Sequence, residues 1–138
     1  MSVLTNYPSL GNGDPYTYVW SFEMDHILMQ LGGAIGALVG FIHGYLGEKM
    51  FSRAAIEPPY AKHMARLGWQ CGAVAWVAVG VLLIAAAGFE STEARRSVIV
   101  TSSVIYLTGA AGNIVVSKGK HFGWVILTVA AGLTLTGW

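Results

Sequence analysis

A chain of 138 residues that is 54% hydrophobic and only 11% charged, with a mean hydropathy of +0.57, lies far from the balance of a soluble globular domain. Its formal net charge of +1 excludes the concentrated basic face that nucleic-acid binding requires. A single cysteine, Cys71, excludes an internal disulfide, and the Cys and His spacings of zinc sites are absent.

The length is that of one domain. Residues 1–15 form a polar lead-in rich in breakers: Asn6, Pro8, Gly11, Asn12, Gly13, Asp14 and Pro15. The first twenty residues contain neither Lys nor Arg and no apolar core of signal-peptide type, so no cleaved signal is expected. Tyr16, Tyr18, Trp20 and Phe22 then alternate along the chain. Aromatics beside a spanning helix sit at headgroup level, so residues 1–26 are read as an aromatic, interfacial segment. Ser21 or Asp25 is the expected cap of the helix that follows.

Four apolar spans come next, at about 27–47, 67–89, 97–116 and 122–138. Each approaches the ~20 residues that a ~30 Å hydrocarbon layer requires. The expected fold is therefore all-α: a polytopic membrane protein with four transmembrane helices in an up-down bundle over 27–138. Residues 48–66 read as a polar linker broken by Pro58-Pro59, with room for a short interfacial helix. The connections 90–96 and 117–121 are short, which makes the last three helices antiparallel neighbours. Lys49, Arg53, Lys62, Arg66, Lys118 and Lys120 fall in the first and third connections, and only Arg95 and Arg96 fall in the second. Six against two places the first and third connections in the cytoplasm and both termini outside.

Within the first span Gly32, Gly36, Gly40 and Gly44 recur at every fourth residue, with Glu48 at the next step. In water such a face weakens a helix by roughly 1 kcal/mol per glycine relative to alanine. In lipid it lets a neighbouring helix backbone approach closely, so these four glycines are the expected helix-packing residues.

Polar side chains at membrane depth are costly and carry the functional information. His43, Gln70, Asn113 and His121 each fall about one turn from a span end, and alternating helix directions bring them to one depth. Ser102, Tyr106, Gly109 and Asn113 share one face of the third helix. Two readings compete. The first makes these groups interhelical hydrogen-bonding glue, worth about 0.6–2 kcal/mol each. The second makes His43, Glu48, Gln70, Tyr106, Asn113 and His121 a polar pocket near the cytoplasmic face for a haem, a quinone or a metal. Bis-His haem ligation by His43 and His121 needs a gap that tight glycine packing disfavours. A metal held by His43, Glu48, His63 and His121 suits ligand chemistry but has no diagnostic spacing. Trp69 and Trp124 read as interfacial anchors, Trp76 as a packing residue, and Cys71 as an inert filler.

In the segments His43-Gly44-Tyr45-Leu46-Gly47-Glu48, Trp69-Gln70 and Ser117-Lys118-Gly119-Lys120-His121-Phe122-Gly123-Trp124, the chain resembles a loosely defined group of small, uncharacterised bacterial inner-membrane proteins. Shared features are an H-x-x-L-G-E ending of the first helix, a tryptophan-containing second helix and a basic G-[KR]-H-x-x-W opening of the last. Gln70 departs from the histidine that the group places after this tryptophan. The resemblance implies the four-helix architecture and a bacterial inner-membrane location, singles out His43, Glu48 and His121, and implies no reaction.

The expectation from sequence is a non-enzymatic accessory or assembly subunit that packs through its glycine face. Its partners would be membrane lipids and other membrane subunits or further copies of itself. The alternative is a binding or redox module for a metal, quinone or haem at the polar layer. A small-solute transporter or channel, formed as an oligomer, ranks third because no charged pathway runs through the spans.

Overall fold

The computed structural model describes the backbone of residues 15–138 and the side chains of residues 24–138. The lead-in before Pro15, and the side chains of Tyr16, Tyr18, Trp20 and Phe22, lie outside the described residues. The described residues form four helices: α1 (Pro15–Arg53), α2 (Pro59–Ala86), α3 (Thr92–Ser117) and α4 (Gly123–Leu135).

The helices differ in extent from the expected spans. Helix α1 is 39 residues, about 58 Å at ~1.5 Å per residue, and already includes the positions of Ser21 and Asp25. Neither of those residues begins it; Pro15 does, and a proline costs nothing at a first-turn position whose N–H has no helical partner. The expected linker contracts to residues 54–58, because its flanks extend α1 to Arg53 and start α2 at Pro59. A separate interfacial helix is therefore absent from this connection. The Ser91 side chain accepts a hydrogen bond from the Ala94 N–H at 3.2 Å and caps α3. At the other end of α3, Lys118 and Gly119 both adopt positive φ (52° and 76°), and the Gly119 N–H donates to the Ile114 carbonyl at 3.0 Å. This left-handed close reverses the chain within a few residues, and Gly119 takes its φ without a side-chain clash.

Helices α1, α2 and α3 are long and apolar enough to cross a membrane. Helix α4, with 13 residues, spans only about 20 Å. In each of the three long helices only 28% of the most apolar window is buried inside the molecule. Leu38, Phe41, Val74, Val81, Val104 and Val129 are among the large apolar side chains that point outward. That is the arrangement of helices whose outer faces meet lipid, where packing rather than water exclusion holds the elements together.

Helix α1 packs on α2 and α4, and α3 packs on α4 and α2. The core between them contains Met29, Trp76, Leu83, Ile99, Tyr106 and Leu127. The α1 glycines lie against these neighbours. A β-carbon at Gly32 would sit 2.8 Å from the Ala130 carbonyl oxygen of α4, and one at Gly40 would sit 2.9 Å from that of Ala73 on α2. Gly36 lies under the Tyr106 hydroxyl of α3, and Gly44 meets Ala73 and Gln70. The closest backbone approach involves a glycine outside the four-residue series: a β-carbon at Gly33 would be 2.6 Å from the Gly80 carbonyl oxygen. Contacts such as Gly33 to Gly80 and Gly47 to Trp69 run in opposite chain directions, so α1 and α2 are antiparallel.

The obstacle at Gly33 is backbone, which cannot rotate away, so Gly33→Ala is expected to force α1 and α2 apart and cost about 1–3 kcal/mol. Gly68 and Gly132 face open space, and their alanine variants should stay within about 0.5 kcal/mol of the parent. Unfolding midpoints in mild detergent check both; equal effects at the two kinds of site would remove the close approach as the cause.

Candidate functional site

The end of α1 and the start of α2 meet through two short motifs. Spacing places Gly44, Gly47 and Glu48 on one face of α1, and Arg66, Trp69 and Gln70 on one face of α2. The Trp69 indole Nε1 donates to the His43 carbonyl at 2.8 Å. Gln70 Nε2 donates to the Gly44 carbonyl at 3.1 Å and to the Glu48 carboxylate at 3.3 Å. Arg66 Nε donates to Glu48 at 2.9 Å, and its Nη2 donates to the second carboxylate oxygen. Gly47 is needed here because a β-carbon would run into the Trp69 indole. The His43 ring stacks flat on that indole, with centroids 4.0 Å apart and planes 6° from parallel, and meets Trp76 at 4.5 Å. Gln70 thus serves as a double donor.

The α3–α4 reversal builds a second polar cluster. Ser117 Oγ donates to the Asn113 carbonyl at 2.5 Å and accepts from the His121 N–H at 3.2 Å. His121 Nδ1 then accepts from the Gly123 N–H at 3.0 Å, covering a first-turn donor of α4 that has no helical partner. A neutral imidazole that accepts at Nδ1 carries its proton at Nε2. Asn113 Nδ2 donates one hydrogen to the Gly109 carbonyl at 3.1 Å. Its Oδ1 and the His121 ring both lie against Gly123, where a β-carbon would be 3.5 Å and 2.8 Å from their nearest atoms.

Between these two clusters lies a cavity of about 550 Å³, within the range of small-molecule sites. His43 from α1, Trp69 and Trp76 from α2, and Asn113, Ser117 and His121 from the α3–α4 end are its polar and aromatic lining residues. Exposed Ile42, Leu46, Met50, Val116 and Phe122 form its apolar rim. The structure thus brings His43, Asn113 and His121 together. It places the other three polar candidates elsewhere: Glu48 and Gln70 in the α1–α2 lock, and Tyr106 in the core, fully buried beside Gly36. No group of three His, Cys, Asp or Glu side chains with metal-holding geometry occurs among the described residues, and His63 is exposed and does not line the cavity.

Sequence reading missed Arg66, Gly47 and the second role of Trp69. The signal was present in the R-x-x-W-Q spacing, which complements H-G-x-x-G-E, but only the pairing of the two helices makes it visible. Trp124 bonds the Gly119 carbonyl at 3.2 Å and so helps hold the reversal, while Cys71 is exposed on the outer side of α2.

The described residues define a four-helix fold with three helices of membrane-crossing length and a ligand-sized cavity beside the α3–α4 reversal. No protein-family model, no curated protein and no solved structure matches it.

The lock separates steric from electrostatic contributions. Gly47→Ala, which strikes the indole, should cost about 1–3 kcal/mol, and Trp69→Phe, which deletes one hydrogen bond, about 1 kcal/mol. Glu48→Gln should cost less than about 1 kcal/mol, because both partners of this ion pair are nearly half exposed. Denaturation of the three variants in detergent tests the order; a dominant loss in Glu48→Gln would reverse the assignment.

Proposed function

We propose that this chain is a multi-pass membrane protein of the bacterial inner membrane that binds a small lipophilic ligand in the cavity between α1 and the α3–α4 reversal. One observation carries the reading: the cavity is walled mostly by apolar and aromatic side chains, several of them exposed, with a few polar groups among them. A ligand from water would have to cross exposed Ile42, Leu46, Val116 and Phe122, whereas a ligand dissolved in the bilayer meets a matching surface. The pair of indoles and the few polar groups follow the composition of small-molecule sites, with a largely apolar wall and a small set of orienting groups.

The charge asymmetry supports an orientation with residues 54–58 and the α3–α4 reversal in the cytoplasm, both termini outside, and the helices arranged as an up-down bundle. The cavity then opens near the inner headgroup region. A metal centre has no three-ligand set to support it among the described residues, and bis-His haem ligation is disfavoured because the His121 acceptor nitrogen already accepts from the Gly123 N–H.

Binding can be read as stability. A plain alkylbenzene at about a hundredfold its dissociation constant should stabilise the detergent-solubilised protein by about 2.7 kcal/mol. Val39→Phe adds bulk at the cavity wall and should abolish that gain. Equal stabilisation of both forms, or of neither, would end the reading.

A second reading, association through the outer face of α2, is favoured by Gly68 and Gly72, which have no neighbour within 4 Å of a β-carbon position. This face differs from the α1 glycine face, which the chain's own helices cover. Exposed Cys71 lies on it, so a bis-maleimide applied to native membranes should give a covalent dimer if copies associate there. Monomer alone would remove self-association through α2.

A further inference from the structure

We infer that the lipophile bound in this cavity is a carbonyl-bearing ring of the quinone class, held by hydrogen bonds donated from the protein; this rests on the lipophile-binding reading above. The donor inventory carries the argument. His121 accepts at Nδ1 from the Gly123 N–H, so the neutral ring presents an N–H at Nε2 rather than a lone pair. Asn113 commits one amide hydrogen to the Gly109 carbonyl and retains a second. Ser117 spends its one donor on the Asn113 carbonyl and accepts from the His121 main-chain N–H, so it holds the reversal's backbone and offers the ligand no donor of its own.

The polar groups stand at two poles. Asn113 and His121 flank Gly123 on the α3–α4 side, and His43 enters from α1. No hydrogen bond joins either His43 ring nitrogen to another described residue. Contact with Trp69 and Trp76 holds the imidazole in place, so its edge is a defined partner rather than a free rotor. A ring with an oxygen at each end satisfies both poles, and either ring nitrogen of His43 can donate or accept as its tautomer changes. A plain hydrocarbon would leave these donors unpaired inside the cavity, which costs affinity. A metal or haem iron would need a nitrogen lone pair at the pole where His121 presents a proton. Entry fits the same chemistry: a quinone reaches the rim from the bilayer with its apolar tail against Ile42, Leu46 and Phe122. The inference concerns binding alone and assigns no electron transfer.

The test compares two probes on one preparation. The full-length protein in phosphatidylcholine nanodiscs is titrated with decyl-benzoquinone and with brominated decylbenzene, both of which quench tryptophan emission; Trp69 and Trp76 line the cavity. Quenching that persists in Val39→Phe defines partition into lipid. Above that background, the quinone should bind saturably and at least tenfold more tightly than the hydrocarbon. His121→Phe and Asn113→Leu should each weaken the quinone about tenfold, one hydrogen bond's worth, and leave brominated decylbenzene within twofold, which also reports that the variants fold. Equal affinity for the two probes, or quinone affinity indifferent to both substitutions, overturns the quinone assignment while the lipophile cavity stands. No saturable quenching by either probe overturns the assignment together with the reading it rests on.

Discussion

The close backbone approach of α1 to α2 is the constraint on which everything else depends. Helices surrounded by lipid gain little from hiding apolar surface, because the surroundings are as apolar as they are. They associate where their backbones come near enough for dense dispersion contact and for side chains of one helix to reach carbonyls of the other. Gly33 and Gly80 permit that approach in the middle of the pair. Gly44 and Gly47 extend it toward the end of α1, where Trp69 and Gln70 bond the carbonyls of His43 and Gly44. The ion pair between Glu48 and Arg66 closes the series at the exposed edge, where it contributes direction more than strength.

Holding α1 against α2 in this way has a consequence on the opposite side. Helix α1 meets α4 closely at Gly32, against Ala130 and Thr134, and Met29 lies against Gly137 just beyond the end of α4. Farther along, beside Val39, His43 and Leu46, the cavity separates α1 from the start of α4. The short α4 reinforces the effect. It begins at Gly123, and the residues just before it turn back under the control of Ser117, Lys118 and Gly119. A helix of full membrane length in this position would carry more side chains into the same space. The cavity thus lies where tight α1–α2 packing ends and the α3–α4 reversal begins.

The chemistry of the cavity follows from how its polar groups are already engaged. Histidine in a membrane invites a metal or haem reading, but what matters is which nitrogen remains. The Gly123 N–H occupies the Nδ1 acceptor of His121, which leaves Nε2 of the neutral ring as a donor, while Ser117 ties the His121 main chain to that of Asn113. His43 has lost freedom to two indoles rather than to a hydrogen-bond partner. Tyr106, Ser102 and Ser103 show a contrasting case: their hydroxyls are buried in the core without a hydrogen-bond partner among the described residues, away from the cavity lining. Shared membrane depth alone does not make one site of polar residues.

Composition and hydropathy by themselves pointed to a helical chain with four spans, because the bilayer sets length and polarity limits that any sequence must meet locally; three of the four described helices are long and apolar enough to cross a membrane. Helix ends were less legible: the α1 helix runs back to Pro15 and the first connection shrinks to five residues, 54–58, since polar residues near a membrane surface can continue a helix as readily as end it. Distance to the span ends pointed to His43, Asn113 and His121 together, and all three line the cavity. Only the tertiary structure decided which polar residues meet. Rotation of each helix about its axis sent Glu48 and Gln70 to one side of α1, His43 to the other, and Tyr106 into the core. That rotation is set by contacts such as Gly47 under Trp69 and Gly33 against Gly80, which join residues 22 and 47 positions apart and leave no trace in either helix alone.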